Sequence, residues 1–211
     1  MLVPELVLRQ PESGREILQR VFGFQADGAV MRRGTQAVII VEGVAEGHGR
    51  IDHIALSVPD MDAAMAELTA AGVSLDTNVT PDGPQLIPEF WQDGLRFVYL
   101  AGPESARIEL CQRVTGAAAQ VGHDHIGIPC HDLPAMQAFF EAQGARLTAK
   151  VDLTRPEGII PVRFLDYAGG VIELFAPNTP ARATRGLWSR LRVGGLTGEL
   201  NGPEGLILAP L

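Results

Sequence analysis

The sequence predicts an α+β fold: paired βαβββ modules whose mixed sheets curl into a cleft, with a degenerate third module at the N-terminus. Three observations carry that expectation. Residues 51–75 align without a gap on residues 123–147, and Asp52, His53, Ile54, Asp60, Ala63, Ala66, Ala70, Gly72 and Leu75 each meet an identical residue 72 positions later. Within each copy the apolar period changes from two to about 3.6, the mark of a strand followed by a helix. Each copy then closes on an apolar strand interrupted by one acid, Arg-Ile-Glu109-Leu in the first and Val-Ile-Glu173-Leu in the second.

The elements follow in chain order. Residues 1–47 read as a worn βαββ module: a strand near Leu6–Leu8, a helix over 14–22 with Ile17, Leu18, Val21 and Phe22 on one side, then strands at Val30–Arg32 and Ala37–Val41. This copy has Leu or Val where the others have His, and Ile where they have Glu, so a structural role is expected of it. Residues 51–115 form the first full module. His53 to Val58 alternate as a half-buried strand, Asp60 can cap a helix over 61–71, and Gly72 can end it. A strand is expected to start at Val73–Leu75, with two more at 95–100 and 106–112. The intervening segment from Thr80 to Pro88 is polar and proline-rich, and the loop from Pro81 to Trp91 is a candidate lid or specificity loop. Residues 122–178 repeat the pattern with strand 125–130, helix 133–143 and strands 146–152, 161–165 and 170–175. Residues 179–211 read as an irregular tail, with apolar runs at Leu187–Leu191 and Leu206–Leu208 that should pack, the N-terminal module being the candidate surface.

Composition bounds the function. The chain has 211 residues, a net charge of −8, 46% hydrophobic and 20% charged residues, which fits an ordinary globular protein. The acidic balance argues against a nucleic-acid groove, because phosphate binding needs a basic face. One local basic cluster, Arg182, Arg185, Arg190 and Arg192, is read as a solvated or subunit-contacting face. Two cysteines, Cys111 and Cys130, give no disulfide framework. No secretory signal or membrane-length apolar run is visible. The expectation is a cytoplasmic protein that acts on a small molecule, with neither nucleic acid nor membrane as partner, and with a homodimer possible through the third module.

Strand parity then collects the chemistry. Residues i and i+2 share a face of a strand. Ile54, Leu56 and Val58 suit the face under the helix, leaving His53, Ala55 and Ser57 on the other; Ile126, Ile128 and Cys130 likewise leave His125, Gly127 and Pro129. Each histidine thus sits near a very small residue, which suits a cleft better than a packed core. Ile108, Leu110, Ile172 and Leu174 also belong under the helices, so Glu109 and Glu173 share the histidine face. A buried, unpaired carboxylate costs several kcal/mol, and a divalent cation offsets two at once. His53, Glu109, His125 and Glu173 are therefore the candidate metal ligands.

At these residues the chain resembles the vicinal oxygen chelate superfamily, in the Asp-His-Ile-Ala/Gly openings, the Ile-Glu-Leu closings and the βαβββ duplication over residues 51–177. The order His–Glu–His–Glu is similar to that of a glyoxalase I site. The resemblance implies a divalent metal (Zn, Ni, Co or Mn) on those four residues and a substrate chelating through two neighbouring oxygens. The metal would act as a Lewis acid on a developing enediolate. Glu173 would carry a proton between carbons and Glu109 would be its counterpart. The reaction class implied is a glyoxalase-type lyase or isomerase step, with epimerisation of a 2-substituted acyl thioester and metal-free small-molecule binding as alternatives. Glutathione-using members resemble one another in an Arg four residues after the first His and an Asn four after the first Glu. Ser57 and Arg113 stand there in this chain, which points to another substrate. His123 and His131 are expected at the surface, Cys111 to pack beside the cleft, and Gly169-Gly170 to make a hairpin turn.

Overall fold

A computed structural model describes residues 1–91, 93–114, 124–177 and 185–211. The N-terminal segment runs β1 (Leu2–Leu8), α1 (Pro11–Arg20), β2 (Gln25–Asp27), β3 (Val30–Arg33) and β4 (Gln36–Glu42). The first full module holds β5 (His53–Ser57), α2 (Met61–Ala70), β6 (Gln85–Ile87), β7 (Leu95–Ala101) and β8 (Arg107–Arg113). The second holds β9 (His125–Pro129), α3 (Leu133–Ala142), β10 (Arg146–Arg155), β11 (Gly158–Tyr167) and β12 (Gly170–Phe175). The chain ends with β13 (Trp188–Val193), β14 (Leu200–Asn201) and β15 (Ile207–Pro210).

These strands form two mixed sheets. The two full modules join edge to edge in an eight-stranded sheet of order β10-β11-β12-β9-β5-β8-β7-β6. Its centre is the antiparallel pair β5/β9, and each of these strands is flanked by the parallel closing strand of its own module, β8 beside β5 and β12 beside β9. The seven-stranded sheet, β14-β15-β13-β1-β4-β3-β2, repeats the plan with β1/β13 antiparallel at the centre, β4 parallel to β1 and β15 parallel to β13.

The tail is therefore not irregular: β13 and β15 complete the N-terminal sheet. Its alternation is physical, since Leu191 and Val193 are buried while Arg190 and Arg192 between them are half-exposed. The arginines disguise a strand whose apolar side is covered by the rest of the core. The strand expected from Val73 to Leu75 is reduced to one bridge, Leu75 to Leu100, because the chain turns away at Asp76, which accepts from Asn78 and is clamped by Arg107.

Helix ends match their capping residues. Asp60 accepts from the Asp62 and Ala63 amides at 3.0 Å each, and Asp132 accepts from Ala135 N at 2.9 Å, satisfying donors that a first helical turn leaves free. Gly72 and Gly144 follow the two helices at φ +84° and +91°, a conformation open to glycine at little cost. Met61 and Leu68 of α2 and Leu133, Met136 and Phe140 of α3 pack over Ile54, Leu56, Ile108, Leu110, Ile126 and Ile172. Leu6, Leu8, Leu191 and Trp188 of the other sheet belong to the same apolar core. Truncating a fully buried residue such as Phe140 to Ala should cost about 3–5 kcal/mol. With the helix-facing residues fixed in this way, the opposite parity must line the concave face.

Candidate metal centre

The register across the central strands explains why the four candidate ligands meet. Ala55 stands between His125 on β9 and Glu109 on β8; Gly127 stands between His53 on β5 and Glu173 on β12. Each small residue thus separates a histidine of the other module from the glutamate of its own. The space is used: a Cβ on Gly127 would lie 2.0 Å from His53 Cε1 and 2.4 Å from its Nε2.

His53, Glu109 and His125 bring their ligand atoms within 4.8 Å of one another, and Glu173 stands beside the two imidazoles. His53 Nε2 and His125 Nε2 are 3.3 Å apart with the rings at 80°. Glu109 Oε2 lies 3.2 Å from each of these nitrogens. Glu173 Oε2 lies 3.7 Å from His53 Nε2 and 3.5 Å from His125 Nε2. All four residues are buried. Nitrogen and oxygen ligands bonded at 2.0–2.2 Å would stand about 3.0 Å apart in an octahedron and about 3.4 Å in a tetrahedron, so the spacing of His53, His125 and Glu109 fits donors around one cation, with Glu173 slightly farther out.

Electrostatics agree. Burial alone would push the Glu109 carboxyl up, yet the two imidazoles beside it hold it well below the carboxylate range. Burial would lower His125, but Glu173 and Glu109 outweigh it and raise its pKa to about 10; His53 is also raised, by Asp52 and Glu109 against its burial. Glu109 Oε2 remains buried without a well-directed hydrogen bond, as expected of an oxygen whose natural partner is a cation.

A further layer orients the ligands. His53 Nδ1 donates to Asp52 Oδ2 at 2.8 Å, which leaves Nε2 as the free lone pair. Asp52 Oδ1 accepts from Arg107 Nη1 at 2.5 Å, and Arg107 Nε donates to Asp76 Oδ2 at 2.7 Å. Such outer partners fix the tautomer and ring angle of a metal-binding histidine. The equivalent Asp124 does other work: it accepts from Ser57 N at 2.6 Å and from Thr35 Oγ1 at 2.6 Å, fastening the N-terminal module to β5. Gln36 Nε2 donates to the His125 carbonyl at 2.8 Å and to the Ala55 carbonyl at 3.2 Å. The repeated Asp-His pair was a signal for Asp52; nothing in the sequence marked Arg107 or Gln36.

The walls of the cleft are apolar. Ile87, Phe90, Leu95 and Cys111 of the first module pack in one cluster with Leu153, Val162 and Phe164 of the second. The proline-rich segment covers this face: Phe90 and Trp91 lie 5.4 and 5.6 Å from Phe164. Tyr99, on the rung beside Glu109, points its ring edge at His53; burial, and then Glu109, keep its phenol protonated. Burial, then Glu109 and Glu173, likewise push the Cys111 thiol up, so it packs as a thiol. His131 is exposed, Ala168 and Gly169 make the β11–β12 turn, and Arg190 and Arg192 pair with Glu5. His123 and Arg182 lie outside the described residues.

No protein-family model matches the sequence, and no curated protein matches it. Solved structures do. A point variant of glyoxalase I from Zea mays superposes with a TM-score of 0.72 at 14% identity, over 100% of this chain and 92% of that one. Another structure of glyoxalase I from Zea mays gives 0.67 at 15% identity, over 91% and 73% of the two chains. At these identities the likeness shows the fold alone: the chain shares the architecture of these glyoxalase I structures. Among the described residues, no helix is long and apolar enough to cross a membrane.

Proposed function

We propose that this chain is a metal-dependent lyase or isomerase of glyoxalase type, which moves a proton next to a carbonyl of a small chelating substrate. The observation that carries this reading is the meeting of His53, His125 and Glu109 at separations of 3.2–3.3 Å, with Glu173 at 3.5–3.7 Å from the two imidazoles, in a face cleared by Ala55 and Gly127. These four residues would hold Zn, Ni, Co or Mn, and a protein that only sequesters a small molecule has no need of all four. When bound, the metal supplies Lewis acidity toward a carbonyl oxygen. The likeness in fold to glyoxalase I supports the same class.

The two glutamates are not equivalent. Glu109 Oε2 touches both imidazoles at 3.2 Å, whereas Glu173 Oε2 stands 3.5–3.7 Å from them, and its side chain is 10% exposed against 5%. Glu109 is the fixed ligand. Glu173 is the carboxylate with room to leave the nitrogens, take a proton from carbon and return it to the same or a neighbouring carbon. The apolar walls exclude water from that proton, and Tyr99, kept protonated, offers no competing base. Epimerisation of a 2-substituted acyl thioester would use the same two groups.

The test follows the proton. Metal-loaded protein is incubated in heavy water with hemithioacetals of 2-oxoaldehydes and with 2-methylacyl thioesters, and loss of the carbon-bound proton is followed by NMR. Exchange with one class, together with its loss in Glu173→Gln at unchanged metal content, supports the reading and selects between lyase and epimerase. Exchange equal in wild type and Glu173→Gln would remove Glu173 from the chemistry.

A further inference from the structure

Four residues along β8 from Glu109, the cleft carries a cation that the metal centre does not use. Strand parity places Glu109, Cys111 and Arg113 on one face. The neighbours confirm that face: Arg113 pairs across the ladder with Leu95, which packs in the cleft, while Gln112 turns away to accept from Met61 N at the start of α2. The Arg113 guanidinium stands 4.5 Å over the Trp91 ring, and its Nε is buried without a hydrogen-bond partner. Among the described residues no carboxylate pairs with it, although the chain carries 25 acidic side chains against 17 Lys and Arg.

The surroundings lead from this cation to the centre. Trp91 lies 5.6 Å from Phe164, and Phe164 lies 5.9 Å from His125, so an apolar path joins Arg113 to a ligand of the metal. The segment bearing Trp91 is strapped to the opposite wall, where Glu89 Oε1 accepts from Thr154 N at 3.2 Å and from Arg155 Nη1 at 2.9 Å. Trp91 is held there at φ +53°, a left-handed conformation that a bulky residue adopts only under constraint from its surroundings. About 13 Å of strand separates Glu109 from Arg113 at the usual rise per residue.

We propose that Arg113 anchors a carboxylate at the far end of the substrate, with Trp91 and Phe164 covering an apolar stretch between that carboxylate and the chelating oxygens. This deepens the reading of the metal centre and rests on it for the position of the reacting end. A planar guanidinium already laid on an aromatic ring loses little freedom when it takes a carboxylate in its fork. The substrate class becomes a carboxylate-terminated acyl or oxo compound, not a neutral one.

The test uses two bidentate oxygen chelators that differ only at the far end, suberic acid monohydroxamate and octanohydroxamate, titrated calorimetrically into the zinc-loaded full chain. Wild type should prefer the carboxylate-ended probe by about 10- to 100-fold, the worth of a charged hydrogen-bonded pair. Arg113→Met should bring the two probes level and Arg113→Lys should keep part of the preference, both at unchanged zinc content. Equal affinities in wild type, or a preference that survives Arg113→Met, overturn the proposal. A second arm separates its failure from that of the metal reading. In metal-free protein, octanoate but not octanol should change the fluorescence of Trp91, defined as the signal absent from Trp91→Phe, and Arg113→Met should abolish the change. If this arm succeeds while neither hydroxamate binds, the anchor stands and the centre's role falls. If octanoate and octanol act alike, the anchor falls whatever the hydroxamates do.

Discussion

The two sheets of this molecule share a strand plan and differ in what fills the concave face. In the eight-stranded sheet the central rungs hold Ala55 and Gly127, and the space above them is occupied by two histidines and two glutamates. In the seven-stranded sheet the rung equivalent to Ala55 holds Glu5, beside Ile39 on β4, and Val3 pairs with Arg192, which in turn pairs with Ala209. Glu5 contacts Arg190 at 3.3 Å and Arg192 more closely. Carried rung by rung, the positions of His53, Glu109, His125 and Glu173 correspond to Val3, Ile39, Arg190 and Ala209. The same backbone therefore solves the burial of a central carboxylate in two ways: with its own arginines in one sheet, and with ligands suited to an outside cation in the other. The lesson is that the small residues, as much as the ligands, make the site.

The sharpest way to break the comparison is to remove a ligand. His125→Ala should reduce bound metal from near one per chain to background, measured by elemental analysis of the purified protein, while the fold persists through the helix-facing core. Filling the gap comes next. Gly127→Ala forces a Cβ into the His53 ring, and thermal unfolding should show a loss of about 1–3 kcal/mol together with weakened metal binding. Asp52→Asn keeps the shape but removes the charge that orients His53, and should weaken metal affinity about 10- to 100-fold; it also removes the buried carboxylate paired with Arg107, so the melting temperature should fall as well. Glu5→Gln is the counterpart in the other sheet. It should cost about 1–2 kcal/mol, because Arg190 and Arg192 are one-third exposed and only partly depend on Glu5, and metal affinity should not move.

The smallest effect is one of pH. Burial pushes the Asp76 carboxyl up, but the hydrogen bond and charge of Arg107 outweigh it and hold it below its usual value. A lowered folded-state pKa contributes stability that is present above the unfolded value and lost as pH falls through the folded one. Denaturant melts between pH 6 and 3 should therefore show an acid limb that flattens in Arg107→Gln. An acid limb unchanged in that variant would assign it to other carboxylates.

Much of this was legible in the residues. The gapless repeat and the change of period located β5, α2, β9 and α3, and parity placed His53, Glu109, His125 and Glu173 on one face before any coordinates. Register, which sets which rungs coincide, is not written in a single strand. The pairing of Ala55 with both His125 and Glu109 therefore emerged only from the structure. The tail was hidden because Arg190 and Arg192 interrupt its apolar side chains, and a strand that completes a distant sheet has no local signature beyond that alternation. Arg113 was visible as an odd residue near Glu109, but its place over Trp91 depends on a loop tied across the cleft by Glu89, a long-range contact.

The most direct test of the central claim is the metal stoichiometry of chelator-stripped protein, by calorimetric titration with zinc and with nickel, for wild type and for a His53→Ala, Glu109→Gln double variant. The account predicts one ion per chain in wild type and none in the double variant, with the seven-stranded sheet binding nothing. An ion that survives the double variant, or two ions per chain, would contradict it.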